Sequence, residues 1–270
     1  MIEQSQMPDR FRTVCEDQQA LFERGQTIQV VNSVPTTTAI PIIDPKHWLR
    51  IPDVICVFVD MANSTQLSAQ TKDRTTAGAY QLFTGTAVRL FDAFEAPYID
   101  VRGDGVFALF NSDQVYRALA SAVTFKTFAA EIFVPEMKKN DYENIGAHIG
   151  IDQKTVLVRK IGLKRVGDRT DRQNEVWAGK PVNMAAKLAS QSQMNELLVS
   201  DRYFARLKHE LALQTCGCER DGYTGNRRPL WAEVSVADKP YFDFDTAWVL
   251  KSQWCKVHGA EFCEEILGLD

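Results

Sequence analysis

The sequence predicts an α/β domain, because strand-like and helical stretches interleave from residue 50 to residue 213 without a long linker. Two stretches carry that prediction. "VICVFV" (54–59) is a continuous β-prone run, as expected of a strand covered on both faces. Residues 70–94 then place Ala77, Tyr80, Phe83, Ala87, Leu90, Phe91 and Phe94 at three- and four-residue intervals, one apolar stripe along a helix.

The elements follow in order. Residues 1–49 form a lead-in to the domain. In them "VPTTTAIPIIDP" (34–45) carries three prolines that cannot sit inside a helix, so an extended segment is expected. After the 70–94 helix, "YIDVR" and "GVFALF" are two strands of a hairpin whose turn is Gly103-Asp104-Gly105. "SDQVYRALASAVTFKTFAAEIF" (112–133) predicts a helix with Ser112 and Asp113 as caps. "NIGAHIGI" and "TVLVRKIG" predict two strands around a polar break at Asp152, Gln153 and Lys154. Beyond a charged loop (164–175), "PVNMAAKLASQ" predicts a helix with Pro181 in its first turn. "ELLVS" adds a strand and "DRYFARLKHEL" a helix, and residues 214–270 form a cysteine-rich extension.

Composition narrows the function classes. With 270 residues, 45% of them hydrophobic, the chain can bury a substantial core. A net charge of −4 gives no basic stripe for nucleic acid or acidic lipid. No apolar run approaches the roughly 18 to 20 residues that span a bilayer, and the N-terminus lacks the basic-then-apolar order of a signal peptide. A cytoplasmic protein with neither membrane nor nucleic-acid partner is expected.

Two aspartates draw the chemistry together. Asp60 ends the buried run "VICVFVD", where α/β folds expose their sites, and the "NST" after it can open a helix whose free N–H groups attract phosphate. Taken alone, Asp60 is equally a cap or turn residue, and Gly-Asp-Gly is most often a simple turn. If the two strands are neighbours, Asp60 and Asp104 converge, and two hard carboxylates suit Mg²⁺ or Mn²⁺. Such a pair of ions lowers the pKa of an attacking hydroxyl and neutralises charge growing on a phosphate. Gly103 and Gly105 permit the tight turn and leave room for a ligand close to the backbone.

"FVDMANST", "VRGDGVFALF", "HIGIDQKTVLVRKIG" and "WAGKPVNMAAKLAS", in this order and with 44 residues from Asp60 to Asp104, resemble the class III nucleotide cyclases across residues 54–200. That resemblance implies a ferredoxin-type α+β sandwich, its central sheet mostly antiparallel and flanked by helices, with residues 50–213 as the catalytic domain. It implies a head-to-tail homodimer with two composite sites, in which the ribose 3′-hydroxyl attacks the α-phosphate and pyrophosphate leaves. Asp60 and Asp104 would hold two Mg²⁺ or Mn²⁺ ions with the Met61 carbonyl. Asn63, Ser64 and Thr65 would lie beside the β- and γ-phosphates, and Asn183 of the partner subunit would orient the ribose. Where the family carries a phosphorus-stabilising arginine, one helical turn after that asparagine, this chain has Lys187, which keeps the charge and loses the bidentate fork. An exposed lysine opposite the alanines is the simpler alternative.

The base-reading positions depart from the family's purine pattern. Where purine-specific members place a lysine and a second polar residue, this chain has Asp100 and Val176. Strand alternation puts Tyr98, Asp100 and Arg102 on one face, so Arg102 can donate to a base carbonyl, with uracil slightly favoured over cytosine because of O4. Arg102 can instead pair with Asp100, and Trp177 can stack on a base or belong to the core. These departures resemble the pyrimidine cyclases of the Pycsar anti-phage systems, which make cyclic UMP or cyclic CMP for a separate effector protein to read. A purine cyclase with a non-standard pocket, or a catalytically degenerate nucleotide-binding module, are the alternatives.

In the tail, Cys216-Gly-Cys218 and "WCKVHGAEFC" offer five ligands for the four positions of a structural Zn²⁺: Cys216, Cys218 and Cys255, with His258 or Cys263 as the fourth. The same cysteines can equally be reduced and buried as small hydrophobes.

Overall fold

The computed structural model describes residues 6–163, 173–218 and 225–270. Nine strands among them form one sheet. Its path is β3 (Tyr98–Arg102), β4 (Gly105–Phe110), β2 (His47–Ala62), β5 (Gly146–Gly162), β7 (Glu196–Ser200), β9 (Thr246–Leu250) and β8 (Trp231–Ser235). A short strand β1 (Thr27–Val30) runs parallel to the start of β2, and β6 (Gln173–Gly179) runs antiparallel to the end of β5. Apart from β1–β2 and β5–β7, every pairing is antiparallel. Helices α3 (Asp73–Ala93), α4 (Val115–Phe128) and α9 (Gly259–Leu267) lie on one face of the sheet, and α6 (Lys180–Gln191) with the Val34–Ile40 segment lies on the other.

The alternation along β2 explains this sandwich. Val57, Val59 and Met61 enter the core under α3 and α4, while Cys56 and Phe58 join the core under α6. The first core is built on aromatic contacts, with Phe83 edge-on to Phe125 at 5.0 Å between ring centres. In α3 the buried residues are Ala79, Phe83, Ala87 and Phe91, one every turn, whereas Ala77 is exposed.

Several sequence expectations change in the structure. Within the lead-in, residues 9–23 form a helix that the sequence reading did not name, α1 (Asp9–Glu23), which lies ahead of the three prolines that begin at Pro35. The polar triplet Asp152–Lys154 does not divide β5. Asp152 is fully buried yet doubly bonded to Arg202, and Gln153 donates to the Asp53 carbonyl while its own Oε1 is buried without a partner among the described residues, so the strand carries its charged group through the core in a paired state. The helix predicted over 201–211 is two single turns, α7 (Asp201–Phe204) and α8 (Glu210–Leu213), the second started by His209 Nδ1 accepting from Leu211 N–H. Most of the charged loop 164–175 lies outside the described residues, but Gln173, Asn174 and Glu175 already belong to β6.

The helical stretch Val115–Lys138 is, by length and composition, apolar enough to cross a bilayer, contrary to the reading that no run approached that length. A π-helical turn over Ala129–Phe133 joins α4 to α5 (Val134–Lys138) within it, and most of α4 is buried under the sheet, so its apolarity is that of a core helix. Neither Ser112 nor Asp113 caps α4. The Asp270 carboxylate does so, accepting from Tyr116 N–H at 2.8 Å and Arg117 N–H at 2.6 Å. Residues 214–270, read from the sequence as an extension, supply β8 and β9 to the same sheet.

Candidate active site

Antiparallel pairing of β2 with β4 sets Asp60 opposite Gly105, directly beside Asp104 in the β3–β4 turn. Two glycines make the turn possible. Gly103 has φ +68°, a left-handed conformation, and a Cβ on Gly105 would lie 3.0 Å from Asp60 Oδ1 and 2.9 Å from the Phe58 ring. The close approach of the strands therefore leaves room for the Asp60 carboxylate and nothing larger. Burial first, and the nearby Asp104 charge second, push the Asp60 pKa up to about 6. The like charge of Asp104 is the second cause, and a pair of neighbouring carboxylates fits a hard divalent ion.

Residues after Asp60 leave the sheet quickly. The β2–β4 ladder ends at Asp60, so Met61 continues with only β5 beside it and its side chain in the core. Asn63 is left-handed (φ 60°) and opens α2 (Ser64–Gln70). Its Nδ2 donates to the Asn144 carbonyl at 3.2 Å, and its own carbonyl accepts from Tyr142 Oη at 3.3 Å and from Leu67 N–H at 3.0 Å. Ser64 and Thr65 form the first turn that follows.

On β3, Tyr98 enters the α6-side core and Ile99 the opposite one, which is the alternation expected from the sequence. Arg102 Nη2 stands 2.6 Å from Asp100 Oδ2 and 3.4 Å from the Glu175 carbonyl, so the two base-region candidates are joined in an ion pair at the edge of the sheet. Trp177 is buried against Tyr98 with 4.5 Å between ring centres, a core position rather than an open stacking surface.

Asn183 and Lys187 share one face of α6, whose backbone rests directly on β5 at Gly150. A Cβ on Gly150 would lie 2.0 Å from the Ala185 carbonyl oxygen. Asn183 is exposed. Lys187 Nζ donates to the Tyr241 carbonyl at 2.9 Å and sits 5.2 Å from the centre of that ring. The 236–245 connection thus runs along α6. Phe242 and Phe244 pack with Met184 and Leu188, and Asp243 accepts from Lys180 (2.7 Å) and from Arg202, whose other nitrogens hold Asp152 at 2.7 and 2.5 Å. Tyr241, Asp243 and Arg202 were not among the sequence candidates, since nothing local to them marks a partner that lies 41 to 63 residues away.

In the tail, donor atoms of Cys216, Cys218, Cys255 and His258 lie within 4.8 Å of one another. Cys263, the other candidate ligand, is apart from this group. It sits on α9, packed against the first core, where burial raises its thiol pKa despite a hydrogen bond with Thr124.

Residues 48–222 match the family described as "Adenylate and Guanylate cyclase catalytic domain". A uridylate cyclase of Propioniciclava tarda is 37% identical over 233 residues, covering 84% of this chain and 73% of that protein. A uridylate cyclase of Micromonospora echinofusca is 33% identical over 231 residues, covering 83% of this chain and 72% of that protein. Among solved structures, the adenylyl cyclase CyaB from P. aeruginosa superposes with a TM-score of 0.56 at 13% identity, over 76% of this chain and 96% of that one. The guanylyl cyclase Cya2 gives 0.56 at 17% identity, over 74% and 92%. At such identities the superpositions speak for the fold, whereas the family match and the relatives in sequence speak for descent. With the paired aspartates at the hairpin and the asparagine helix across the sheet, the chain belongs to the class III nucleotide cyclases and is a nucleotide cyclase.

Proposed function

We propose that this cyclase closes UTP into 3′,5′-cyclic UMP and pyrophosphate, at sites shared by two copies of the chain. The observation that carries the reading is the β3–β4 hairpin, which pairs Asp104 with Asp60 at its turn and Asp100 with Arg102 one step before it. The names of the two relatives support the choice of uridylate.

Asp60, Asp104 and the Met61 carbonyl hold two divalent ions, Mg²⁺ or Mn²⁺. When bound, such ions make the 3′-hydroxyl easier to deprotonate and offset charge on the α-phosphate. The first turn after Asn63, with Ser64 and Thr65, lies along the β- and γ-phosphates. Asn183 of the partner subunit orients the ribose, and Lys187 of the partner subunit faces the pentavalent phosphorus as a point charge. The ribose 3′-oxygen forms a bond to the α-phosphorus, the bond from that phosphorus to the bridging oxygen of pyrophosphate breaks, and the hydroxyl proton leaves to solvent. Arg102 has five N–H donors; after pairing with Asp100 it keeps enough to reach a uracil carbonyl, while Val176 offers no polar side chain to a purine. The product is a second messenger read by a separate effector protein in defence against phage.

Incubation with each of the four ribonucleoside triphosphates and Mn²⁺, followed by product identification, tests this. Cyclic UMP as the main product is expected. Turnover of ATP or GTP alone would remove the base argument, and cyclic CMP alone would move the assignment to cytidylate. Equal mixing of Asp104→Ala with Asn183→Ala should restore activity that neither has alone, since heterodimers contain one complete site.

A further inference from the structure

The C-terminal segment carries a cluster that the cyclase chemistry does not use. Cys216 and Cys218 come from the strap after α8, whereas Cys255 and His258 come from the strap between β9 and α9, yet their donor atoms gather within 4.8 Å. All four side chains are half-buried. Nδ1 of His258 is buried with no hydrogen-bond partner among the described residues, and the same side chain interacts with the Cys255 thiol.

Each strap is fixed by contacts of its own. Thr215 N–H donates to the Arg228 carbonyl at 2.8 Å, and Arg228 N–H returns a bond to Thr215 Oγ1 at 3.0 Å. Gly217, between the two thiols, has φ +76°, and a Cβ there would meet the Gly225 carbonyl at 2.8 Å, so this Cys-x-Cys turn closes only around glycine. The second strap hangs from α4. The buried Lys126 Nζ donates to the Lys251 and Ser252 carbonyls at 2.6 and 2.9 Å, and Trp254 Nε1 donates to Thr124 Oγ1 at 2.8 Å. Val257 N–H donates to Cys255 Sγ at 3.4 Å, the backbone support common at a sulfur ligand.

We propose that Cys216, Cys218, Cys255 and His258 bind one structural Zn²⁺ that ties the two straps together. Three thiolates and an imidazole are soft and borderline donors, which select zinc over the hard ions of the catalytic site. Around zinc, with Zn–S near 2.3 Å and Zn–N about 2.0–2.1 Å, neighbouring donors stand about 3.5–3.8 Å apart, so a small inward movement of the present cluster completes the tetrahedron. Four protein ligands leave no open position, and the role is a crosslink. The two straps, with α4, α8, α9 and the start of β8, enclose a cavity of about 570 Å³ lined by Leu119, Leu211, Trp231, Leu250, Trp254 and Phe262. Cys216, Cys218 and Cys255 are among the residues lining that cavity, so zinc would tie together the two straps that border it.

Elemental analysis of protein purified without chelator should find about one zinc per chain. Cys216→Ser and Cys255→Ser should each lose it. Cys263→Ser should keep it, and so should His258→Cys, which supplies a fourth thiolate and guards against reading misfolding as lost ligation. Co²⁺ in place of zinc should give the visible absorption of a tetrahedral thiolate site. Wild-type protein that holds no zinc as isolated and none after incubation with Zn²⁺ and desalting would overturn the proposal. So would a metal-free mass two hydrogens light, marking a disulfide, or loss of zinc from Cys263→Ser alone. Asp60→Asn should leave the zinc content unchanged, so the outcome stands apart from that of the nucleotide assay.

Discussion

Asp60 lives in a place that disfavours its own charge. Burial and the Asp104 carboxylate raise its pKa to about 6 in the metal-free fold, against the ordinary value of 3.8. The folded state therefore holds this proton more tightly than the unfolded chain. Its contribution to metal-free stability is fully present below about pH 4 and is lost as the pH rises through about 6. Metal binding runs the other way, because the ligand is the carboxylate. Divalent-ion affinity and activity should fall as the pH drops below about 6, measurable by titrating Mn²⁺ across that range. Asp104→Asn removes the like charge, so the Asp60 pKa followed by NMR should move down yet stay above 3.8, because burial is the larger cause. An unmoved value would show that the two carboxylates do not interact. Both aspartates were legible in the sequence because a strand end and a glycine-flanked turn are local features. Tyr241 was not, since its hold on Lys187 is made by a backbone carbonyl that any residue could supply. Arg102 kept two readings in the sequence, and the ion pair with Asp100 is the one present in the unliganded chain.

Helix α6 is gripped on both sides. Below it, Gly150 lets the Ala185 and Ala189 backbone touch β5; above it, the 236–245 connection anchors Lys180 and Lys187. Gly150→Ala would drive a methyl into the helix backbone, where no flexible side chain can give way. Overpacking of this sort costs about 1–3 kcal/mol, and it should lift Asn183 and Lys187 from their positions. Activity should drop at least about 10²-fold even at temperatures where the variant remains folded by circular dichroism. A variant of normal activity would mean that α6 is free to shift without consequence. The helix itself was clear from its apolar spacing and Pro181, and "HIGI" was clear as a strand. What the spacing could not give is that the glycine of "HIGI" is a contact surface. The same limit explains the false break at Asp152, whose charge reads as a loop signal until Arg202 is seen beside it.

At the scale of the whole molecule, the alternating order of strands and helices pointed to an α/β domain and the family resemblance implied its sandwich, yet neither gave the length of its sheet. β8 and β9 lack strong patterns of their own, since "WAEVS" and "TAWVL" are short and flanked by irregular chain, and only β7 beside them makes their role evident. Nor could the sequence show that α4 takes its cap from residue 270. Ser112 and Asp113 stand where a cap is expected, but the carboxylate of Asp270 occupies the first turn. Asp270→Ala should cost about 0.5–2 kcal/mol of stability, read from the midpoint of urea unfolding, while Ser112→Ala and Asp113→Ala should cost far less. Equal costs at all three positions would contradict the assignment.

That cap has a bearing on the order of events during synthesis. α4 is the central helix of the first core, and its amino end waits for a residue made about 150 positions later, as β7 waits for β9. At ribosomal rates of roughly 5–20 residues per second, those partners arrive many seconds after the helix has emerged. Until residues 246–270 have been made, β7 lacks its β9 neighbour and α4 its cap, so the docking of this segment is a late step on the way to the native topology.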